Sequence, residues 1–514
     1  MRRKSAIYTM CSSLALMLAF QLFGVSRKAP DAKSTTGKGP ISKPTVINHE
    51  HFDGNAIDCI MTNDGVIVDH RVTGSAGMQW PKGTGKTIDY NSGLWLAGIG
   101  HDDSLIHTAC SEYCSDLVPG LWGGDPEDEA YRIYKINSDG TGDWDTWPID
   151  QGAPSENGQP LILGDQTLFW VSNDGDSAHH WVFSSPPMDV EIRYIVFGFD
   201  HDEPLGNTMF IKWEIINRGT QQFDSCFVGL WDDPDLGDAT DDHIGCDTTL
   251  NIGYCYNADP YDSVYGATPP ALGFDFLQGP EEPLGSGNHL PMTAFVHFII
   301  HEYYDHPETA LEAHLAMRGY GDHGVPYFNH LGEETKFPCA GDPVTGIGDL
   351  DDWTGDRWFL MSSGPFTFAP GDTQVVVGAK IIAQGADHLD AVASLRSADA
   401  WVQNFYDTLT SVERTGEYAV RPARHRLYQN SPNPFNEKTT IRFEIPQTGL
   451  VSLCIYNVSG QLLRELMHGY RNAGCYRVTW DGRDSLGRSV ASGVYFYSLK
   501  ATGYRETRKM VLLR

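Results

Sequence analysis

Ile441-Arg-Phe-Glu-Ile445 sets three apolar side chains on one side of an extended chain and two charged ones on the other. That period of two is the mark of a half-buried β-strand. Val451, Leu453 and Ile455 repeat it, alternating with Ser452, Cys454 and Tyr456. Tyr476, Val478 and Trp480 repeat it again, alternating with Cys475, Arg477 and Thr479. Asn457-Val-Ser-Gly460 reads as a turn and Asp481-Gly-Arg-Asp-Ser-Leu-Gly487 as a loop, and Ser492-Gly493 opens a last run through Leu499. Closely spaced turns between about seven short strands predict an immunoglobulin-like β-sandwich over residues 427–514. Cys454 and Cys475 fall on outward positions of the pattern, so no core disulfide is expected between them.

Upstream, Met209-Phe-Ile-Lys-Trp-Glu-Ile-Ile216 alternates in the same way, with Met209, Ile211, Trp213 and Ile215 on one face. Ala294–Ile300 and Val375–Ile382 are apolar and β-branched, as buried strands are. Pro370-Gly371-Asp372 is a turn, and it predicts a hairpin joining Phe366–Phe368 to Val375–Ile382. One segment is helical: Leu389, Val392, Leu395, Ala398, Val402, Phe405 and Leu409 recur at spacings of three and four. Asp387 is its expected N-cap, with Asp390 three residues on. The fold class is therefore mainly β: a β-sandwich-like body closed by one helix, plus a C-terminal immunoglobulin-like β-sandwich.

At 514 residues the chain exceeds the size of a single core. Met1-Arg-Arg-Lys4 and an apolar run from about Leu14 to Val25 read as a secretory signal, too short to span a bilayer. Residues 1–26 are assigned to it and 27–44 to a flexible leader. Residues 45–410 form an acidic body and 411–426 a linker. No other run is long and apolar enough to cross a membrane, so the mature chain is expected to carry no transmembrane segment.

Charge is uneven. Residues 45–424 hold 60 Asp+Glu against 16 Lys+Arg, whereas residues 425–514 hold 13 Lys+Arg against 6 Asp+Glu. So acidic a body repels phosphates, and no nucleic-acid partner is expected. Of ten cysteines, Cys110 with Cys114, and pairs among Cys226, Cys246, Cys255 and Cys339, are candidate disulfides for an exported protein.

In the tail, Ser431-Pro-Asn-Pro-Phe-Asn436, Ile455-Tyr-Asn457, Gly460-Gln461, Ala473-Gly474, Trp480-Asp-Gly482, Gly493-Val-Tyr495 and Lys509-Met510 occur in order. As a set they resemble the C-terminal sorting domain of type IX secretion cargo, which is itself similar to the immunoglobulin-like domain of flagellar hook-capping proteins. Glu437 departs from the pattern, standing where Pro is usual. The resemblance covers about 90 residues. It implies export to the periplasm and then recognition of the tail by the type IX machinery, leaving the chain extracellular or on the outer cell surface. Trp80–Lys86, Asp232–Asp238, Phe359–Pro365 and Pro370–Gln374 among other segments resemble uncharacterised secreted proteins that carry this tail, a likeness that implies no chemistry.

The body's densest acidic stretch is Asp232-Asp-Pro-Asp-Leu-Gly-Asp-Ala-Thr-Asp-Asp242. Such loops hold Ca²⁺ with carboxylate and carbonyl oxygens. Asp232, Asp233, Asp235, Asp238, Asp241 and Asp242 are the expected ligands of a structural calcium, a solvated acidic turn being the alternative. The glycine is one place too early for an EF-hand. Asp200–Glu203 and Asp349–Asp352 are weaker versions.

Other motifs fail on spacing. Pro81-Lys-Gly-Thr-Gly-Lys-Thr87 has Trp80 where a P-loop needs Gly, and reads as turn and strand. His301 and His306 are five apart where a zinc-protease helix needs four. No Gly-x-Ser-x-Gly elbow occurs, and the sequence selects no glycosidase acid pair. Trp144 and Trp147 lie in a polar loop, where they either stack on a glycan or pack in the core. The expected protein is non-catalytic, a binding or adhesive module with a cell-surface or glycan ligand. The alternative is a secreted hydrolase acting on polysaccharide or protein.

Overall fold

The computed structural model describes residues 47–513 except 157, 299–304, 415–424, 431, 437, 446–448, 472–473, 486–487 and 502–503. The segments read as signal and leader, His301, and most of the linker lie outside those residues. The described chain forms two compact units, one ending at Thr408 and one beginning at Leu409.

Beside a four-stranded sheet (His49–Phe52, Asp58–Thr62, Met78–Gln79, Thr87–Asp89) and two two-stranded ones, the two largest sheets of the body form a sandwich. The larger runs Asp242–Asp247, Ile252–Asn257, Pro270–Gln278, Thr373–Gln384, Thr208–Asn217, Val190–Gly198, Gln166–Asn173, with Val118–Pro119 and Tyr134–Asn137 along its last strand. The smaller runs Ala294–Phe298, Trp358–Phe368, Phe223–Asp233, Asn91–Gly100, Ile106–Cys110. Period-two patterning sets the faces: Met209, Ile211, Trp213 and Ile215 meet Leu94, Leu96, Val228 and Leu230 in one continuous core. Packing face to face buries one face of each sheet. A second cluster covers the outer face of the smaller sheet around Trp95, Trp231 and Leu360.

Pro370-Gly371-Asp372 does turn the chain, but the predicted hairpin does not form. Trp358–Phe368 pairs with Phe223–Asp233, whereas Thr373–Gln384 pairs with Thr208–Asn217 and Pro270–Gln278. The turn is an arch from one sheet to the other. Asn217 clamps it: its Nδ2 donates to Phe368 O at 3.1 Å, and its backbone N–H and C=O bond Asp372 O at 3.0 Å and Gly371 N at 2.9 Å. Both strands have apolar residues to bury on both faces, and only a place inside a sheet gives each of them two neighbours.

Helix α1, Ala310–Met317, was not expected from the sequence. A capping box of Thr309 and Glu312 starts it, and Ala313, Ala316 and Met317 pack on the outer face of the smaller sheet. Helix α2, His388–Arg414, starts as read. Asp387 Oδ1 accepts the Leu389 and Asp390 N–H groups at 3.0 and 2.9 Å, and Asp390 Oδ2 accepts the Ala386 N–H at 2.8 Å. It lies on the outer face of the larger sheet, where Phe405 meets Phe199 and Phe210 and Tyr406 donates to Gln278 Oε1 at 2.7 Å. No helix of the described residues is long and apolar enough to cross a membrane.

The tail packs a three-stranded sheet (Arg426–Leu427, Thr439–Ile445, Gly474–Trp480) on a four-stranded one (Leu462–Arg471, Gly449–Tyr456, Gly493–Ala501, Tyr504–Leu512). Its core is Leu427, Ile441, Phe443, Ile445, Val451, Leu453, Ile455, Trp480, Tyr497, Leu499, Met510 and Leu512. The Pro-rich entry segment runs beside the last strand: Phe435 N–H donates to Val511 O at 3.0 Å, and Leu513 N–H donates to Phe435 O at 2.8 Å. Phe435 packs tilted against Trp480 and Tyr495 meets Trp480 edge-on, with centroids 5.6 and 5.4 Å apart.

All eight described cysteines are free thiols, so the candidate disulfides are not formed. Register explains one case: Cys246 stands opposite Gly253 and Cys255 opposite Ile244, which keeps the two apart. In another, Cys110 turns its Sγ to Leu96 O at 3.7 Å. Cys454 is buried rather than outward, because a bulge beside it brings Glu465 over its Sγ at 3.7 Å. The side chain of Cys475 lies outside the described residues.

Candidate metal centre

The acidic stretch does not close around one point. It begins inside the strand Phe223–Asp233, so alternation sends Asp232 and Asp233 to opposite faces. Asp232 enters the core between the sheets and meets Lys380. Asp233 points to the outer side and takes a hydrogen bond from Tyr113 Oη at 2.6 Å.

Farther along, the loop's carboxylates hold its own backbone. Asp238 caps a short turn, accepting the Thr240 N–H and Oγ1 at 3.2 and 2.7 Å. Asp242 accepts the Leu236 N–H at 3.1 Å. Asp241 lies 3.5 Å from Asn257 Nδ2. Gly237, at φ +71°, rests against the Asp262 carboxylate, where a side chain would collide.

Asp233 and Asp235 instead converge with Asp356, their oxygens all within 4.8 Å of one another. Asp356 precedes the strand that pairs with Phe223–Asp233, and the register setting Asp232 opposite Phe359 carries Asp235 and Asp356 to the same end. Nothing local in the chain marks Asp356, whose place follows only from which strands pair. Asp233 is buried, and its Oδ1 has no hydrogen-bond partner. Burial, then the charge of Asp356, pushes the Asp235 carboxyl up to about 7. Burial and Asp235 raise Asp233 well above the carboxylate range. Burial raises Asp356 as well, although Arg357 opposes it; a divalent cation relieves acids so crowded, and hard oxygen donors suit calcium.

Among the described residues this is the one such group. The weaker acidic stretches do other work: Asp349 accepts the Cys339 and His330 N–H groups, and Asp351 pairs with Arg357 at 3.1 Å. His306 sits 3.1 Å from Glu112 in an aromatic nest with Trp95 and Phe183. Trp147 is buried and donates to Pro154 O at 2.9 Å, while Trp144 donates to Thr141 O at 3.0 Å. Pro81–Thr87 is a turn that leads into the strand Thr87–Asp89.

Residues 433–504 match the model of the FlgD Ig-like domain. No curated protein matches the chain. Similar solved structures include dimeric latent PorU from Porphyromonas gingivalis, at 12% identity and a TM-score of 0.16, covering 91% of this chain and 34% of that one. PorZ, a surface component of the type-IX secretion system of the same organism, gives 11% and 0.16, covering 89% and 64%. The alkylpurine DNA glycosylase AlkC from Pseudomonas fluorescens gives 16% and 0.14, covering 23% and 40%. The chain thus spans less than two thirds of each of these proteins, and at such scores the likeness says nothing of fold or activity.

Proposed function

We propose that this chain is an exported protein of the extracellular space or outer cell surface. Its tail is the address read by type IX secretion, and its body is a non-catalytic binding or adhesive module. The observation that carries this reading is the tail itself: a self-contained immunoglobulin-like sandwich, matched over residues 433–504 by the FlgD Ig-like domain, whose sorting-type motifs meet in one place. Phe435 of the Pro-rich segment, Trp480 of Trp-Asp-Gly and Tyr495 of Gly-Val-Tyr form one aromatic cluster. Residues 425–514 fused to a reporter are expected outside the cell in a type IX-competent host. Retention in the periplasm would refute the address.

In the body, a structural calcium at Asp233, Asp235 and Asp356 completes the reading. One observation also favours the rival hydrolase, since a carboxyl lifted to about 7 is what a general acid needs. Calcium separates the two. If the acids are structural, calcium raises the melting temperature and Asp235→Asn abolishes that rise. If they are catalytic, Asp235→Asn abolishes hydrolysis of a polysaccharide or protein panel and calcium leaves the melt unchanged.

A further inference from the structure

Lys380 lies mid-strand in Thr373–Gln384, with its side chain aimed into the sandwich. Its Nζ donates to Asp89 Oδ2 at 2.5 Å and to Asp232 Oδ1. All three side chains are fully buried. Asp232 stands on the facing sheet and Asp89 on the short strand Thr87–Asp89. The Phe274 ring lies 4.3 Å from Nζ. Asp232 Oδ2 is buried without a hydrogen-bond partner, whereas the Asn91 backbone N–H supports the Asp89 carboxylate.

A buried ion pair persists when further hydrogen bonds satisfy its remaining lone pairs. Here one amine faces two carboxyl groups, and the second oxygen of Asp232 has no donor. With all three side chains fully buried, the composition of lowest charge is one ammonium, one carboxylate and one carboxylic acid. Those are also the reactants of an amide bond. Held in contact, such groups react as if at effective concentrations of about 10⁵–10⁸ M.

We infer that Lys380 and Asp232 join in an intramolecular amide that ties the two sheets together covalently, with Asp89 carrying the proton. Asp89 takes a proton from the ammonium and leaves the amine neutral. The nitrogen lone pair attacks Cγ of protonated Asp232, and the C–N bond forms. Asp89 takes the second proton from nitrogen as it returns the first to the Asp232 hydroxyl. The C–O bond breaks and one water leaves. Asp89 ends as the neutral acid, beside the new amide. No oxidant or reductant enters, and protons and charge balance.

The test is a tryptic peptide map of the unfolded wild-type chain by mass spectrometry. The expected result is one branched species that joins the Lys380 and Asp232 peptides, with a mass one water below their sum and no cleavage after Lys380. Quantitative recovery of the two peptides unlinked would overturn the proposal, and a branch to Asp89 would overturn the assignment of the acceptor. In Asp89→Asn, checked for folding by circular dichroism, the branch is expected to be lost. A folded Asp89→Asn that links fully removes Asp89 from the mechanism. The wild-type map stands whether or not a variant folds.

Discussion

Asp356 stands across from Asp235 on the register line that sets Asp232 opposite Phe359. An antiparallel pairing thus brings together two acids from distant parts of the chain and joins them to Asp233. The candidate metal centre is a consequence of strand pairing, and the acidic loop alone does not make it.

Calcium at a hundredfold excess over its dissociation constant is expected to stabilise the body by about 2.7 kcal/mol. Asp356→Asn removes a ligand outside the acidic stretch and should erase most of that gain. Thermal melts in calcium and in EDTA check this; an undiminished calcium shift in Asp356→Asn moves the site elsewhere.

Asp275 on the larger sheet and Asp399 on α2 are both fully buried. Burial, then Asp399, raises Asp275 well above the carboxylate range, and burial lifts Asp399 to about 7. Raised acids bind more protons in the folded state than in the unfolded one. The contribution of Asp399 is complete below the unfolded value of 3.8 and is lost as pH rises through about 7. The loss runs at up to about 1.4 kcal/mol per pH unit. Asp399→Asn should flatten that slope in denaturant melts taken across the range, and an unchanged slope would refute the pairing.

Asn217→Ala leaves Phe368 O without its side-chain donor at the arch between the sheets. A buried carbonyl so orphaned costs about 1–3 kcal/mol. Urea midpoints should fall accordingly. A neutral result would mean that the arch does not depend on this clamp.

In the tail, Tyr497 Oη donates to Tyr428 O at 2.8 Å and accepts the Asn430 N–H at 2.9 Å. Tyr497→Phe loosens the Pro-rich entry segment from the sheet, at about 1–3 kcal/mol. Faster proteolysis near Asn430, with the body's melt unchanged, is the expected readout.

Much of this fold was legible in the residues. Met209 to Ile215, Val451 to Ile455 and the Asp387 cap declared their faces and ends, because period and capping are local properties. The hairpin at Pro370 failed because a turn fixes a change of direction and not the partner of the strand that follows. The short helix Ala310–Met317 carries little apolar signal because two of its four buried residues are alanines and a third is His314. Alternation already placed Asp232 and Asp233 on opposite faces, but the density of the acidic stretch concealed it.

By itself the sequence determined which segments extend, which face of each is apolar, and that the last ninety or so residues form a sandwich. Tertiary structure alone decided which sheet each strand joined. It thereby set Lys380 against Asp89 and Asp232, and Asp356 against Asp233 and Asp235. The physical reason is that a period of two specifies a side. The choice of neighbour depends on the burial and hydrogen bonding of the whole sheet at once, and no single segment contains that sum.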